Sequence, residues 1–323
     1  MIGKTVFLPK PEFICSDRAT RFFIAVPCHC SNFNQPSINV IQKLKKAFFF
    51  GLVFWPYFLM AQSGWTRSFK SWFVKVDAAH LAADRYYNPN GEKVITSTFR
   101  QTSFNLYGEY GFRPRLTFIV QAPLLRLNSF ETTDVVAGIG DLRLEAKYRL
   151  TGNQLPVAFS VATEFPTGRA NAFAANKTFP DDRINLPTGD GEFNVWTTLA
   201  ASKSLGKAYV SAFTAYNFRG KYEGKKFRNL YQFGAEIGYN PWRPLWLNAK
   251  VRAQFSDGIS QYAELGFVRG DGTTYTLASV EALYKINPHW GVSATFLSGG
   301  NWIAAFRNIY IAPFLSVGVV YER

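Results

Sequence analysis

From Phe69 onward, apolar and polar residues alternate with a period of two. The clearest stretch is Asp141 to Leu150. Leu142, Leu144, Ala146, Tyr148 and Leu150 share one face, and Asp141, Arg143, Glu145, Lys147 and Arg149 share the other. Residues 245–256 repeat the pattern, with Lys250 and Arg252 on the polar face. Pro, Gly and Asn punctuate the alternation, and short connections (113–115, 151–156, 206–207, 240–244, 287–289) take turns with long polar ones (82–93, 128–136, 167–192, 221–227, 257–272, 299–308). Twelve strands result, over 69–81, 98–112, 115–127, 138–150, 157–166, 193–205, 208–219, 228–239, 245–256, 273–286, 290–298 and 309–323.

An even number of strands this long, with short turns at one end and long loops at the other, predicts an all-β, transmembrane, antiparallel up-and-down β-barrel. A soluble sandwich or lipocalin-like barrel is the alternative, but it rarely needs such strands. Composition agrees. Aromatic residues make up 17% of the chain against 18% charged, and the mean hydropathy of −0.07 argues against a bundle of membrane helices.

The longest apolar run, Ala47 to Ala61, follows Lys43, Lys45 and Lys46 and is too short and proline-interrupted to span a bilayer comfortably. It reads as the core of a signal peptide over 40–63, ahead of a barrel over 64–323, and implies the outer membrane of a Gram-negative bacterium. Residues 1–39 then form an upstream extension, as from a mis-assigned start. All three cysteines, Cys15, Cys28 and Cys30, lie there. They lack the second cluster that a tetrahedral metal site needs, so neither metal nor cofactor is expected. The net charge of +14 includes +5 before Ala47, and the rest is spread without a basic block, so no nucleic-acid partner is expected.

If the apolar face meets lipid, the charged face lines the lumen, because an Arg or Lys facing hydrocarbon at the bilayer midplane costs about 2–4 kcal/mol. Lys75, Asp77, Glu109, Asp141, Arg143, Glu145, Lys147, Arg149, Glu164, Glu236, Lys250, Arg252, Glu281 and Lys285 all have that parity. They make either a salt-bridge filling or a selectivity lining. Trp72, Tyr107, Tyr110, Trp242, Trp246, Tyr284, Trp290 and Tyr310, near strand ends, suit interfacial girdles. Loop 167–192 is longer than a simple connection requires. It is the candidate gate, with Phe173, Phe179, Asp181, Asp182 and Arg183 as its marked residues.

Gly138-Ile139-Gly140-Asp141-Leu142, Lys147-Tyr148-Arg149-Leu150, Phe165-Pro166-Thr167-Gly168 and Leu186-Pro187-Thr188-Gly189-Asp190 resemble the outer-membrane transporter-like family associated with the phenol meta-cleavage degradation pathway. The resemblance covers residues 100–220 and the remainder by architecture only. It implies a monomeric barrel in outer-membrane lipid that passes small aromatic or other apolar solutes. The competing reading is a structural or surface-interaction barrel with a sealed lumen. An embedded enzyme is disfavoured: a Ser–His nucleophile would have to use His80 or His289, the two histidines downstream of the signal, but His289 sits in a tight turn beside Pro288 and His80 has no evident serine partner nearby in sequence, and the carboxylate pairs are explained by pairing in the lumen.

Overall fold

The structure, a computed structural model, describes residues 62–179, 181–260 and 270–323; the upstream extension and nearly all of the signal segment lie outside these. Twelve strands form the wall: β1 Trp72–Tyr87, β2 Lys93–Arg113, β3 Leu116–Phe130, β4 Leu142–Arg149, β5 Val157–Phe165, β6 Asn194–Leu205, β7 Ala208–Phe218, β8 Leu230–Trp242, β9 Leu245–Ser256, β10 Tyr275–Lys285, β11 Trp290–Gly299 and β12 Phe314–Glu322. Each pairs antiparallel with its neighbours in sequence, and β12 closes on β1 from Phe73↔Glu322 to Leu81↔Phe314. The barrel is therefore closed and up-and-down, as the alternation predicts, and no wall strand is left with an open edge.

Three boundaries differ from the sequence reading, each for a backbone reason. Segment 138–150 divides into Val136–Gly138, which pairs with β3, and β4; Asp141 lies between them, outside the ladder. Segment 309–323 divides at Pro313, which has no N–H to give the ladder, and both pieces, Ile309–Ile311 and β12, still pair with β1. The expected long connection 82–93 is mostly strand. β1 and β2 stay paired through a bulge at Ala83/Arg85 up to Tyr87↔Lys93, leaving only Asn88–Glu92 to turn.

Side-chain direction follows the expected parity. On β4, Leu144 and Tyr148 are exposed on the outside, whereas Arg143, Glu145 and Lys147 are buried. Exposed Ile237, Leu247, Val280 and Val319 continue the apolar outer surface around the wall. Leu144→Arg is accordingly expected to cost about 2–4 kcal/mol if Leu144 sits at midplane depth, read as lost barrel assembly by heat-modifiable migration in gels. Leu150→Arg, beside a short turn, should cost far less.

The inner face is not charged along its whole length. On β1 the inward row runs Lys75, Asp77, Ala79, Leu81, Ala83, and on β10 it runs from Lys285 and Glu281 through Ser279 to Leu277 and Tyr275. Toward the long-loop end, fully buried Leu81, Tyr275, Leu277 and Leu297 join Phe99, Leu186, Phe306, Ile309 and Tyr310 in one apolar layer. The lumen thus has an ionic portion toward the short turns and, under the loops, an apolar cluster beside the buried Arg219–Glu192 pair. The girdle expectation is corrected in the same way. Trp72, Trp242, Tyr284 and Trp290 face outward, but Tyr107 and Trp246 line the lumen and Tyr310 belongs to the apolar layer. Strand-end position alone does not give direction; parity does, since Tyr107 lies two residues from inward Glu109.

Candidate functional site: the lumen and the segments folded into it

Opposite charges meet within and between the inward rows. Lys250 lies 3.3 Å from Glu236 and 3.5 Å from Glu281, and Glu281 also takes Lys75 at 3.1 Å. Tyr209 donates its hydroxyl hydrogen bond to Glu236, and Tyr107 donates to Glu109. Arg143 bridges Glu145 and Glu164, each at 3.3 Å. Inside a wall of low polarity, each such pair offsets the desolvation of its partner. Among the residues read as lining, Arg149 stands apart: it sits on the turn side, donating to Asn153 and to the Pro114 carbonyl. His80 is exposed, 2.9 Å from Thr102, and His289 lies on a turn against the Glu322 carbonyl.

A strap, residues 62–71, crosses the short-turn end of the lumen. At one wall, Arg67 holds Glu109 at 2.7 Å and Glu322 at 2.8 Å, and its backbone N–H donates to Thr117. At the far wall, Gly64 donates its N–H to Ser202 on β6, and Trp65 meets Tyr209 on β7 edge to face. Gly64 passes so close to the wall that a Cβ there would lie 1.9 Å from the Pro156 carbonyl oxygen, so only glycine fits.

Loop 166–193 enters from the opposite end. Its outer part is a hairpin of Phe173–Ala175 with Arg183–Asn185, and Phe173, Phe179, Asp181, Asp182 and Arg183 are all exposed on it. The base of the loop is what goes inside: Leu186 and Thr188 are buried, Arg126 donates to the Thr188 carbonyl, and Asn128 donates to that of Pro187. The glycine-containing motifs converge here. The Asp141 carboxylate accepts the backbone N–H groups of Gly168 (2.9 Å) and Asp190 (2.6 Å), and Thr167 donates to the Gly140 carbonyl. Gly168 packs on Gly189 with no room for a side chain between them. The repeated Pro-Thr-Gly is therefore a latch fastening the loop to the mouth of β4.

Two carboxylates of the loop base are held in an unusual state. Burial, and then the nearby charge of Asp141, pushes Asp190 up to about 6. Burial pushes Glu192 up to about 7 although Arg219 grips it.

Between strap and latch lie two compartments. The one toward the short turns, about 380 Å³, is lined by Lys75, Glu236, Lys250 and Glu281 together with Arg67 of the strap. The other, about 180 Å³, lies beside the loop base and is lined by Arg143, Glu164, Trp196 and Arg252 among others. Gln101 and Arg126 border both, so the two adjoin. Parity finds most of the wall residues. It misses Arg67 and Gly64, which lie ahead of the first strand, and Arg126 and Arg219, which sit singly near strand ends; paired Pro-Thr-Gly motifs are the one signal that could have pointed to the loop base.

The same architecture is found in an outer-membrane channel of Pseudomonas putida F1, with a TM-score of 0.55 and 18% identity over 80% of this chain and 97% of that one. The barrel has an outer-membrane channel fold. Weaker likenesses are to the translocator domain of the autotransporter NalP from Neisseria meningitidis (TM-score 0.49, 13% identity, 79% and 89% covered) and to the P. putida toluene transporter TodX (0.40, 8%, 80% and 91%). No family model matches the chain, and no curated protein matches it.

Proposed function

We propose that this barrel is an outer-membrane channel for small solutes, with its short turns in the periplasm and its long loops outside, and that solutes pass when the strap and the loop base move. The observation that carries the reading is the pair of adjoining, polar-lined compartments held between two chain segments that belong to no wall strand. A purely structural barrel has no need of such space. The lumen-facing charges, Glu109, Arg143, Glu145, Lys147, Glu164, Glu236, Lys250, Arg252, Glu281 and Lys285, are on this reading its lining, with Asp141 as the fastening of its loop. The motifs by which residues 100–220 resemble a phenol-degradation family add the suggestion of aromatic solutes. Reconstitution into planar bilayers tests the proposal: discrete conductance steps support it, and silence from correctly folded barrel, with no solute uptake into liposomes, overturns it.

The apolar layer under the loops favours a second reading, a sealed lumen whose loops carry the function. The two separate on pH. A carboxyl group whose folded value lies above its unfolded one gives a docked state that binds extra protons, so docking is strongest below the unfolded value and weakens as pH rises through the folded one. Asp190 and Glu192 place that window at about pH 4 to 7. Conductance of a channel gated by this loop is therefore expected to fall as pH is lowered from about 8 to about 5, with Asp190→Asn flattening the change. A sealed barrel shows no conductance at either pH.

A further inference from the structure

The compartment beside the loop base holds one guanidinium that the charge ladder does not absorb. Four guanidinium groups line it, Arg126, Arg143, Arg219 and Arg252; Asp141, Glu164 and Asp190 are on the same lining, and Glu145 and Glu192 join through Arg143 and Arg219. Three of the four are engaged: Arg143 with Glu145 and Glu164, Arg219 with Glu192, Arg126 with the Thr188 carbonyl. Arg252 is not. It is only 7% exposed, and its Nε and Nη2 have no acceptor among the described residues.

Gln254, the next inward residue on the same strand, does not supply one. The Gln254 carbonyl oxygen already accepts Gln232 Nε2 at 2.6 Å and the Tyr275 hydroxyl at 3.0 Å. The Tyr275 ring lies under the Arg252 guanidinium at 5.7 Å and holds it in place through its face. A second donor is in the same position: the Trp196 indole Nε1, buried on β6, also lacks an acceptor among the described residues. Among the described lining residues the unpartnered donors, on Arg143, Arg252 and Trp196, outnumber the buried acceptors in the same state, the side-chain oxygens of Gln62 and Asn217, and the guanidinium fork of Arg252 matches a carboxylate in charge and in shape. Leu186, Leu230, Phe99 and Ile309 border the same space of about 180 Å³, enough for one compact apolar body.

We infer that this compartment binds small monocarboxylates with a compact apolar body, the carboxylate anchored by Arg252 with Trp196 as a further donor. The inference rests on the reading of the lumen as a solute path and names the class of solute that the path favours.

Binding is tested on the folded barrel in detergent, without any need for transport. Titration calorimetry with benzoate, with neutral benzamide of the same shape and with benzylamine is expected to show saturable benzoate binding at least tenfold tighter than either control. Arg252→Gln should bring benzoate down to the benzamide level, and Trp196→Phe should weaken it several-fold. Equal binding of benzoate and benzamide, no benzoate binding, or benzoate binding unchanged by Arg252→Gln overturns the inference. Should Arg252→Gln fail to fold by heat-modifiable migration, the wild-type comparison of benzoate with benzamide decides alone. Bilayer conductance of the same sample reports separately on the channel: conductance without benzoate preference sinks this inference only, and benzoate binding without conductance sinks the channel reading while leaving the site.

Discussion

Removing residues 62–67 is expected to raise single-channel conductance several-fold while leaving the barrel folded. The strap contributes no rung to the wall ladder, so the twelve strands and their closure between β12 and β1 do not depend on it. What it contributes is obstruction: it runs from Arg67, clamped by Glu109 and Glu322, to Gly64 on Ser202 at the far wall. Gly64→Val reaches the same end by a different route. Its side chain would meet the Pro156 carbonyl, so the strap must leave its track, yet the charges of Arg67 remain. Truncation and Gly64→Val should therefore give similar conductance, measured in planar bilayers, with unchanged heat-modifiable migration. Wild-type conductance in both would show that the strap does not limit passage.

The second large effect is expected at the other end. Asp141 accepts two backbone N–H groups of the long loop, and a hydrogen bond to a charged group contributes about 1.5–3 kcal/mol. Asp141→Ala should lose roughly 3 kcal/mol of docking, shifting the balance between docked and released loop about a hundredfold. Gly189→Val should match or exceed it, because a Cβ at Gly189 would lie 2.2 Å from Asp141 Oδ1 and 2.7 Å from the Gly168 Cα. Faster amide hydrogen exchange across 186–192, with the wall strands still protected, is the expected readout. Protection unchanged in both variants would remove the latch from the account.

The barrel was legible in the sequence because period two is a direct image of a wall with different solvents on its two sides. Arg143, Glu145 and Lys147 alternating with Leu144, Ala146 and Tyr148 suffice to orient β4. The apolar layer was not legible by the same rule. Leu81, Tyr275, Leu277 and Leu297 share the parity of the charged rows, and nothing along one strand shows that four of them converge beneath two loops. The latch was half visible. The Pro-Thr-Gly repeats mark positions, but only the fold shows Gly168 against Gly189 and one carboxylate serving both ends of the loop. Likewise, the length of 167–192 flags a functional loop, whereas burial selects its base over the exposed Phe173 and Phe179.

The layer of Leu81, Tyr275, Leu277 and Leu297 also shapes the electric field. Ion-bearing water can fill the charged portion of the tube but is displaced by this apolar cluster, so an imposed membrane voltage drops more steeply at its level than along the ionic rows. Voltage-sensitive closing, where it is observed, should originate at that level, and polar replacements there should spread the drop and blunt the response.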